Sequence, residues 1–315
     1  MGNRLLVVGS INIDLVAATQ RIPLEGETVL ASNFQTFPGG KGANQAYAAA
    51  QLGTAVSMIG KVGNDNFGPA LLNSLESAGV DVSAIQVAPT SSGLALITTA
   101  ANGENAIVVV AGANANVLPS DLDRYIELVR HSAIVLTQLE IPLETVEHLA
   151  ALAESEKVPL VLDPAPARTL PSSLLARVTW LTPNETETCT LLGMVPQELS
   201  PSFLKEAANR LIRSGPRNVL LKLGSRGCYI AQSNGKHTLV SANPVQAVDA
   251  TGAGDAFNAA FATALIEGKD PVSSASFAAT VAAISVTRHG AQPSMPARKE
   301  VDTFLADRSD LERAR

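Results

Sequence analysis

Asp249-Ala-Thr-Gly-Ala-Gly-Asp255 runs without a break into Ala256-Phe-Asn-Ala-Ala-Phe-Ala-Thr-Ala-Leu-Ile-Glu-Gly268. A glycine-rich turn that opens an apolar helix presents unpaired N–H groups and the positive end of the helix dipole, a ready anion site. An Asp in the first turn of a helix ordinarily compensates that dipole. The flanking glycines also leave Asp255 room to face a ligand. A carboxylate beside an anion hole has the layout for deprotonating an alcohol that then attacks a phosphoryl group. Such transfers depend chiefly on positioning and charge neutralisation.

Outward from this stretch, short β-branched runs alternate with longer helical patterns. The strand-like runs are 5–8, 57–59, 134–139, 160–162, 180–181 and 219–222. The helix-like stretches are 42–52, 69–77, 120–130, 143–155, 202–213, 255–267 and 273–287, with Ser120 and Ser202 as expected caps. This alternation predicts an α/β fold with a mostly parallel sheet covered by helices. Two stretches break it. Residues 11–38 read as extended chain, and 93–112 read as two strands around Asn102-Gly103, a hairpin signal. Neither has a covering helix. They are expected to pair into a small second sheet, either a lid over a ligand or an edge extension that makes a dimer contact.

Composition narrows the function classes. The 315 residues are 46% apolar, which supports a large buried core rather than disorder. The net charge of −6, with no Lys/Arg block, makes a poor binder of nucleic acid or anionic membrane. Aromatics at 4% argue against stacking platforms for single strands. No run of 18 apolar residues predicts a membrane span, and the N-terminal apolar run is too short for a secretory signal. Cys189 and Cys228 form no CxxC pattern, and the four histidines share no metal-ligand spacing. A cytoplasmic location is expected.

Three further constellations carry chemistry. Phe37-Pro-Gly-Gly-Lys-Gly-Ala-Asn44 precedes a helical pattern. It reads as a glycine turn before a helix, or as a cradle in which Lys41 neutralises an anion and Asn44 holds a hydroxyl. The spacing fits neither the P-loop nor GxGxxG. Thr182-Pro-Asn-Glu-Thr-Glu187 reads as a capped helix start, or as a site where Asn184 and Glu187 offer hard oxygen ligands to Mg²⁺. Asn12 and Asp14 follow the first strand, and Gln138 and Glu140 lie at the end of the 134–139 run. By strand alternation Gln138 and Glu140 share a side. Ligands of open α/β sheets bind beyond the carboxyl ends of the strands, where these four residues fall.

Taken in order, GSINIDL (9–15), FPGGKGANQA (37–46), DPAPAR (163–168), TPNETE (182–187), KLGSRG (222–227), DATGAGDAFNAAF (249–261) and VTRHGAQPSMP (286–296) resemble the signatures of the ribokinase (PfkB) family of carbohydrate kinases. The resemblance covers nearly the full length. It implies a three-layer α/β/α core with a small β-sheet lid, one unit over 1–315 with the lid in 11–38 and 93–112. It implies transfer of the γ-phosphoryl of ATP to a sugar hydroxyl, the 5-hydroxyl of D-ribose first, with 2-deoxyribose or a nucleoside as the alternative. Asp255 matches the family's catalytic base, and the amides of Gly252, Ala253 and Gly254 its anion hole. Asn12, Asp14, Gly40, Lys41, Gly42, Ala43, Asn44 and Glu140 match sugar contacts. Asn184, Lys222, Leu223, Gly224, Ser225, Arg226, Gly227 and Gly254 match ATP contacts. Glu187 matches an acid linked to Mg²⁺, and Asp249, Thr251, Ser285, Arg288, Gly290 and Ser294 match a K⁺ loop. A homodimer through the lid is also implied. Lys222 stands where the family often carries Thr, and Ala279 where Asn or His often sits near the adenine. A dinucleotide-dependent oxidoreductase would need GxGxxG after the first strand, where VVGSIN stands. A non-catalytic sugar-binding protein has no use for Asp255.

Overall fold

Leu5, Leu6, Val7 and Val8 are all fully buried, yet they feed two different cores. Leu5 and Val7 pack with Met58, Leu136, Phe261 and Val281; Leu6 and Val8 pack with Ile59, Val135, Leu149 and Leu221. A strand apolar on both faces must be covered on both faces. The computed structural model, which describes residues 3–313, meets that demand with three layers, helix on sheet on helix.

The strands are β1 (Arg4–Val8), β2 (Asn12–Thr19), β3 (Asn33–Gly39), β4 (Ala55–Gly63), β5 (Val80–Asp81), β6 (Ile85–Ala88), β7 (Gly93–Ala100), β8 (Asn105–Val110), β9 (Ile134–Thr137), β10 (Leu160–Leu162), β11 (Trp180–Leu181), β12 (Asn218–Lys222), β13 (Cys228–Gln232) and β14 (His237–Val240). The large sheet has the order β14-β13-β12-β11-β10-β9-β1-β4-β5, with β6 also on β4. It is parallel from β12 through β5, and antiparallel only in the β12–β13–β14 meander. The helices are α1 (Lys41–Gln51), α2 (Gly68–Ser77), α3 (Pro119–Arg124), α4 (Ile126–Arg130), α5 (Leu143–Ser155), α6 (Ser172–Leu175), α7 (Glu185–Leu191), α8 (Pro201–Arg213), α9 (Ala253–Ile266), α10 (Pro271–Ser285) and α11 (Arg298–Arg313). Residues of α1, α9 and α10 share one core, and residues of α5 and α8 share the other.

The second sheet has the order β3-β2-β7-β8. Its hairpin turns at Asn102-Gly103, where Gly103 takes φ +87° and the Asn102 side chain accepts the Glu104 N–H. β2 leaves β1 after only Gly9, Ser10 and Ile11, so the small sheet is rooted at the carboxyl end of β1.

Several local readings are corrected. β9 stops at Thr137 rather than 139, because the Leu139 N–H turns away to the Ala165 carbonyl. Alternation therefore does not place Gln138 and Glu140. The 120–130 helix is broken at Tyr125, and its cap is Leu118 with Asp121 accepting the Leu118 N–H, not Ser120. The 202–213 helix begins at Pro201 after Ser200, which makes no side-chain cap bond. The Ser273 start belongs to Asp270, whose carboxylate accepts the N–H groups of Val272 and Ser273.

The start of α1 is pressed onto the β1–β2 link. The Ala43 N–H donates to the Ser10 carbonyl at 2.9 Å. A Cβ on Gly42 would meet the Gly9 carbonyl carbon at 2.7 Å, so no side chain fits there. Gly42→Ala is expected to destabilise the chain by about 1–3 kcal/mol, the ordinary penalty for overpacking. An unchanged urea midpoint would contradict this close approach.

Candidate active site

The carboxyl ends of β1, β9, β10, β11 and β12 carry polar residues into one cleft. Burial and hydrogen bonds fix each of them. Asn12 is buried at the start of β2, where its Oδ1 accepts Asn114 Nδ2 at 2.7 Å. Asn114 also bonds both backbone groups of Ile11. Asp14 lies over Gly39 so closely that a Cβ there would sit 2.3 Å from Oδ2. Glu140 Oε2 accepts Ser10 Oγ at 2.6 Å and the Lys41 N–H at 3.1 Å. Gly40, at φ +87°, could not carry a side chain beneath the Asn12 N–H, 2.7 Å away. Glycine spacing and helix capping thus bring Asn12, Asp14, Glu140 and the first turn of α1 to one place.

Asp255 occupies the first turn of α9, behind Gly252, which caps the helix at φ +74°. The Ala253 N–H is spent on the Ala250 carbonyl. The next two amides, of Gly254 and Asp255, have no intrahelical partner, while the Ala256 N–H bonds the Gly252 carbonyl. Asp255 is buried, with Oδ2 accepting Asn44 Nδ2 and Oδ1 accepting Gln45 Nε2, each at 3.0 Å. Asn44 Oδ1 is buried with no partner. Burial is the largest influence on Asp255 and raises its pKa to about 6, against the pull of Lys41 and the two amides; Asp163 pushes the same way as burial. Asp14 is also raised to about 6, by burial first and then by Glu140 and Asp255. Burial disfavours the Lys41 ammonium, but Asp255, Asp163, Glu140 and Glu187 together outweigh it and hold its pKa above the ordinary lysine value.

On the β11–β12 side, Asn184 caps α7. Its Oδ1 accepts the Glu187 N–H, while Glu187 accepts both the Asn184 N–H and Nδ2. The capped helix start is therefore present. Glu187 spends one bond on each oxygen there, and burial raises its pKa against the pull of Lys222. Lys222 ends β12 beside Asn184, and its Nζ reaches Asp163 Oδ1 at 2.8 Å. The turn Gly224, Ser225, Arg226 follows. Gly227 must be glycine, since a Cβ would lie 2.0 Å from the Val240 carbonyl oxygen. Leu223 buries its side chain and bonds Gly227 and Arg226 through its backbone, so it shapes the turn. The Arg226 guanidinium is held by Glu185 and the Leu199 carbonyl.

Behind the α9 turn, Asp249 Oδ1 accepts the N–H and Oγ1 of Thr251, and Oδ2 accepts the Gly290 N–H at 2.8 Å. Burial would raise Asp249, but these bonds prevail and keep its pKa below the usual value. Ser285 and Ser294 turn their hydroxyls to the carbonyls of Ala282 and Ala291, and the Arg288 guanidinium pairs with Glu300. The Arg288 side chain can offer a cation nothing, so at that residue only the backbone oxygen is a candidate ligand.

Sequence reasoning left out Gln45, Asp163 and Ser10. Gln45 Nε2 donates to Asp163 Oδ2 as well as to Asp255, and its Oε1 accepts Gln138 Nε2 at 2.6 Å. Two signals were available. Asp163 directly follows the apolar LVL strand, and Gln45 is a polar residue inside an alanine-rich helix.

The pfkB family carbohydrate kinase description matches residues 3–298. A ribokinase of Bacillus subtilis (strain 168) is 43% identical over 303 residues, covering 96% of this chain and 99% of that protein. A deoxyribokinase of Salmonella typhi is 37% identical over 304 residues, covering 96% and 98%. The structure of Arabidopsis thaliana ribokinase complexed with ribose and ATP superposes with a TM-score of 0.90 at 38% identity, covering 97% and 99%.

Carboxyl ¹³C titration checks the electrostatics. Asp14 and Asp255 are expected to titrate near pH 6, well above the ~3.9 of free Asp. Lys41→Met is expected to move Asp255 higher still, since the ammonium stabilises the ionised form. Midpoints near 4 would contradict the burial of both groups.

Proposed function

We propose, from the premise that this chain belongs to the pfkB family of carbohydrate kinases, that it transfers the γ-phosphoryl group of ATP to the 5-hydroxyl of D-ribose, giving D-ribose 5-phosphate and ADP. The observation that carries the reading is Asp255, a buried carboxylate with a raised pKa, oriented by two amides at the start of a helix. A base poised near 6 is ionised at neutral pH yet basic enough to take a hydroxyl proton as attack proceeds.

The roles divide across the cleft. Asn12, Asp14, Asn44 and Glu140 hold the sugar, with Gly40, Lys41, Gly42 and Ala43 forming the floor. The unpartnered Asn44 Oδ1 is an acceptor for one sugar hydroxyl. The ribokinase relative of Bacillus subtilis and the ribose-bound Arabidopsis thaliana structure favour ribose over its 2-deoxy analogue. The deoxyribokinase relative keeps the deoxy sugar as the second reading. ATP lies along Asn184, Lys222 and the Gly224–Ser225–Arg226–Gly227 turn. The small sheet, rooted beside Asn12 and Asp14, closes over the sugar and excludes water, which limits wasteful hydrolysis of ATP.

Two cations fit the residues present. Among the described residues no three His, Cys, Asp or Glu side chains converge as a metal cage. A Mg²⁺ ion held chiefly by the nucleotide phosphates suits such a site, with Glu187 reaching it through water. It would supply charge neutralisation to the transferring group. K⁺ suits the 249–251 and 285–294 segments, which meet where the Asp249 carboxylate accepts the Gly290 N–H and the Val286 carbonyl accepts the Asp249 N–H. Its effect would be to fix the Gly252–Asp255 turn.

The chain is assigned to the cytoplasm as a homodimer. Cys189 and Cys228 are free and buried, and among the described residues no helix is long and apolar enough to cross a membrane. β8 is an edge strand with Ile107 52% and Val109 54% exposed. A bare apolar edge invites pairing, and a second copy of the same sheet supplies the partner. Ile107→Lys with Val109→Glu is expected to give a monomer by light scattering where the unaltered chain gives a dimer; a wild-type monomer would remove the dimer assignment.

The function is tested by coupled ADP release in Mg²⁺ and K⁺ with ribose, 2-deoxyribose or no sugar. Ribose-dependent turnover is expected to exceed deoxyribose turnover, and to fall when Na⁺ replaces K⁺. Asp255→Asn is expected to lower kcat by ~10²–10⁴-fold. Turnover on deoxyribose alone would transfer the assignment to that sugar, and an unaltered rate in the Asn variant would remove Asp255 as base.

A further inference from the structure

Lys222 is poorly accounted for by a nucleotide contact alone. Its side chain is 12% exposed and its partner Asp163 is 2% exposed, so this is a buried ion pair. Two buried charges are worth little to stability against a well-packed apolar pair. The pair also has a definite place. A Cβ built on Gly254 would lie 3.6 Å from Lys222 Nζ, which puts the ammonium at the mouth of the α9 amides. An ammonium has three donors, and Asp163 Oδ1 takes one of them. The other carboxylate oxygen is tied through Gln45 Nε2 to Asp255. Gln138, donating to Gln45 Oε1, fixes which end of that amide faces the two carboxylates. One hydrogen-bonded chain therefore runs from the Asp255 carboxylate to the Lys222 ammonium, across the space that the α9 amides face.

We propose that Lys222 is a further catalytic residue, whose ammonium touches the phosphoryl group during transfer, and that Asp163 is the positioning residue that aims it, with Gln45 locking Asp163 to the base. The proposal rests on the kinase reading above and deepens it. In the step, the sugar oxygen bonds to phosphorus as Asp255 takes the hydroxyl proton. The bond from phosphorus to the bridging oxygen breaks, and its electron pair leaves on the β-phosphate of ADP. Lys222 keeps its proton throughout. Its charge meets the negative charge on the phosphoryl oxygens and the leaving oxygen, which is greatest between reactant and product. An interaction that strengthens in the transition state lowers the barrier without tightening ATP.

A purely structural ion pair is the competing account, and the two separate experimentally. Lys222→Met is expected to lower kcat by ~10²–10³-fold, the effect of losing one preorganised donor, with the KM for ATP changed less than about threefold. Because Lys222→Met alone strands a buried carboxylate, Lys222→Met with Asp163→Asn is made as well. That double variant is expected to regain the melting temperature and remain as slow as Lys222→Met. Asp163→Asn alone is expected to lower kcat by a smaller factor, and to have no further effect once Lys222 is Met. A double variant with wild-type kcat would overturn the proposal and leave the pair structural. So would a rise in the KM for ATP with kcat unchanged. Absence of ribose- or deoxyribose-dependent turnover in the unaltered chain would instead count against the kinase reading, and with it this one.

Discussion

Burying the Asp255 carboxylate is the constraint on which the rest of the site depends. Desolvation of a charged carboxyl costs more than any single hydrogen bond returns. Lys41, Asn44 and Gln45 offset that cost only in part, since the pKa still settles near 6 rather than at 3.8. All three come from the first turn and a half of α1, so the helix must start where it does. Its start is fixed by the glycines that let it touch Gly9 and Ser10. The fold thus places two helix beginnings, α1 and α9, face to face across the carboxyl end of the sheet.

Charge accounts for the remaining architecture. Asp14, Glu140, Asp163, Glu187 and Asp255 influence one another's protonation or that of Lys41. Lys41 and Lys222 oppose them at close range. A polyphosphate entering such a site needs accompanying cations and fixed donors, because its own charge adds to the local excess. The helix terminus at Gly252–Asp255 supplies fixed dipoles, and the two lysines supply positive charge. Closure of the small sheet would then remove the water that weakens these interactions.

Local sequence patterns carried much of the fold. Strands buried on both faces read as continuous apolar runs, and the helices between them read by period. The hairpin signal at Asn102-Gly103 found the small sheet. The same dipeptide at Asn234-Gly235 marks the β13–β14 turn, which the sequence reading does not include. Caps were read least well. Asp270 and Asn184 accept backbone N–H groups, whereas Ser120 and Ser202 do not cap, since Pro119 and Pro201 already set the helix starts. Site residues at motif positions were legible one by one. The bridge formed by Gln45 was not, because a single amide joining carboxylates from β10 and α9 is a tertiary fact with no local period.

The most direct measurement is the pH dependence of kcat/KM for ribose, which reports the free enzyme's essential ionisations. Activity is expected to fall as pH drops through about 6, because Asp255 and Asp14 there take up protons and lose the ionised forms proposed as base and sugar acceptor. A profile flat down to pH 4.5 would contradict it: the essential carboxylate would then be an ordinary exposed acid, not the buried one at the start of α9.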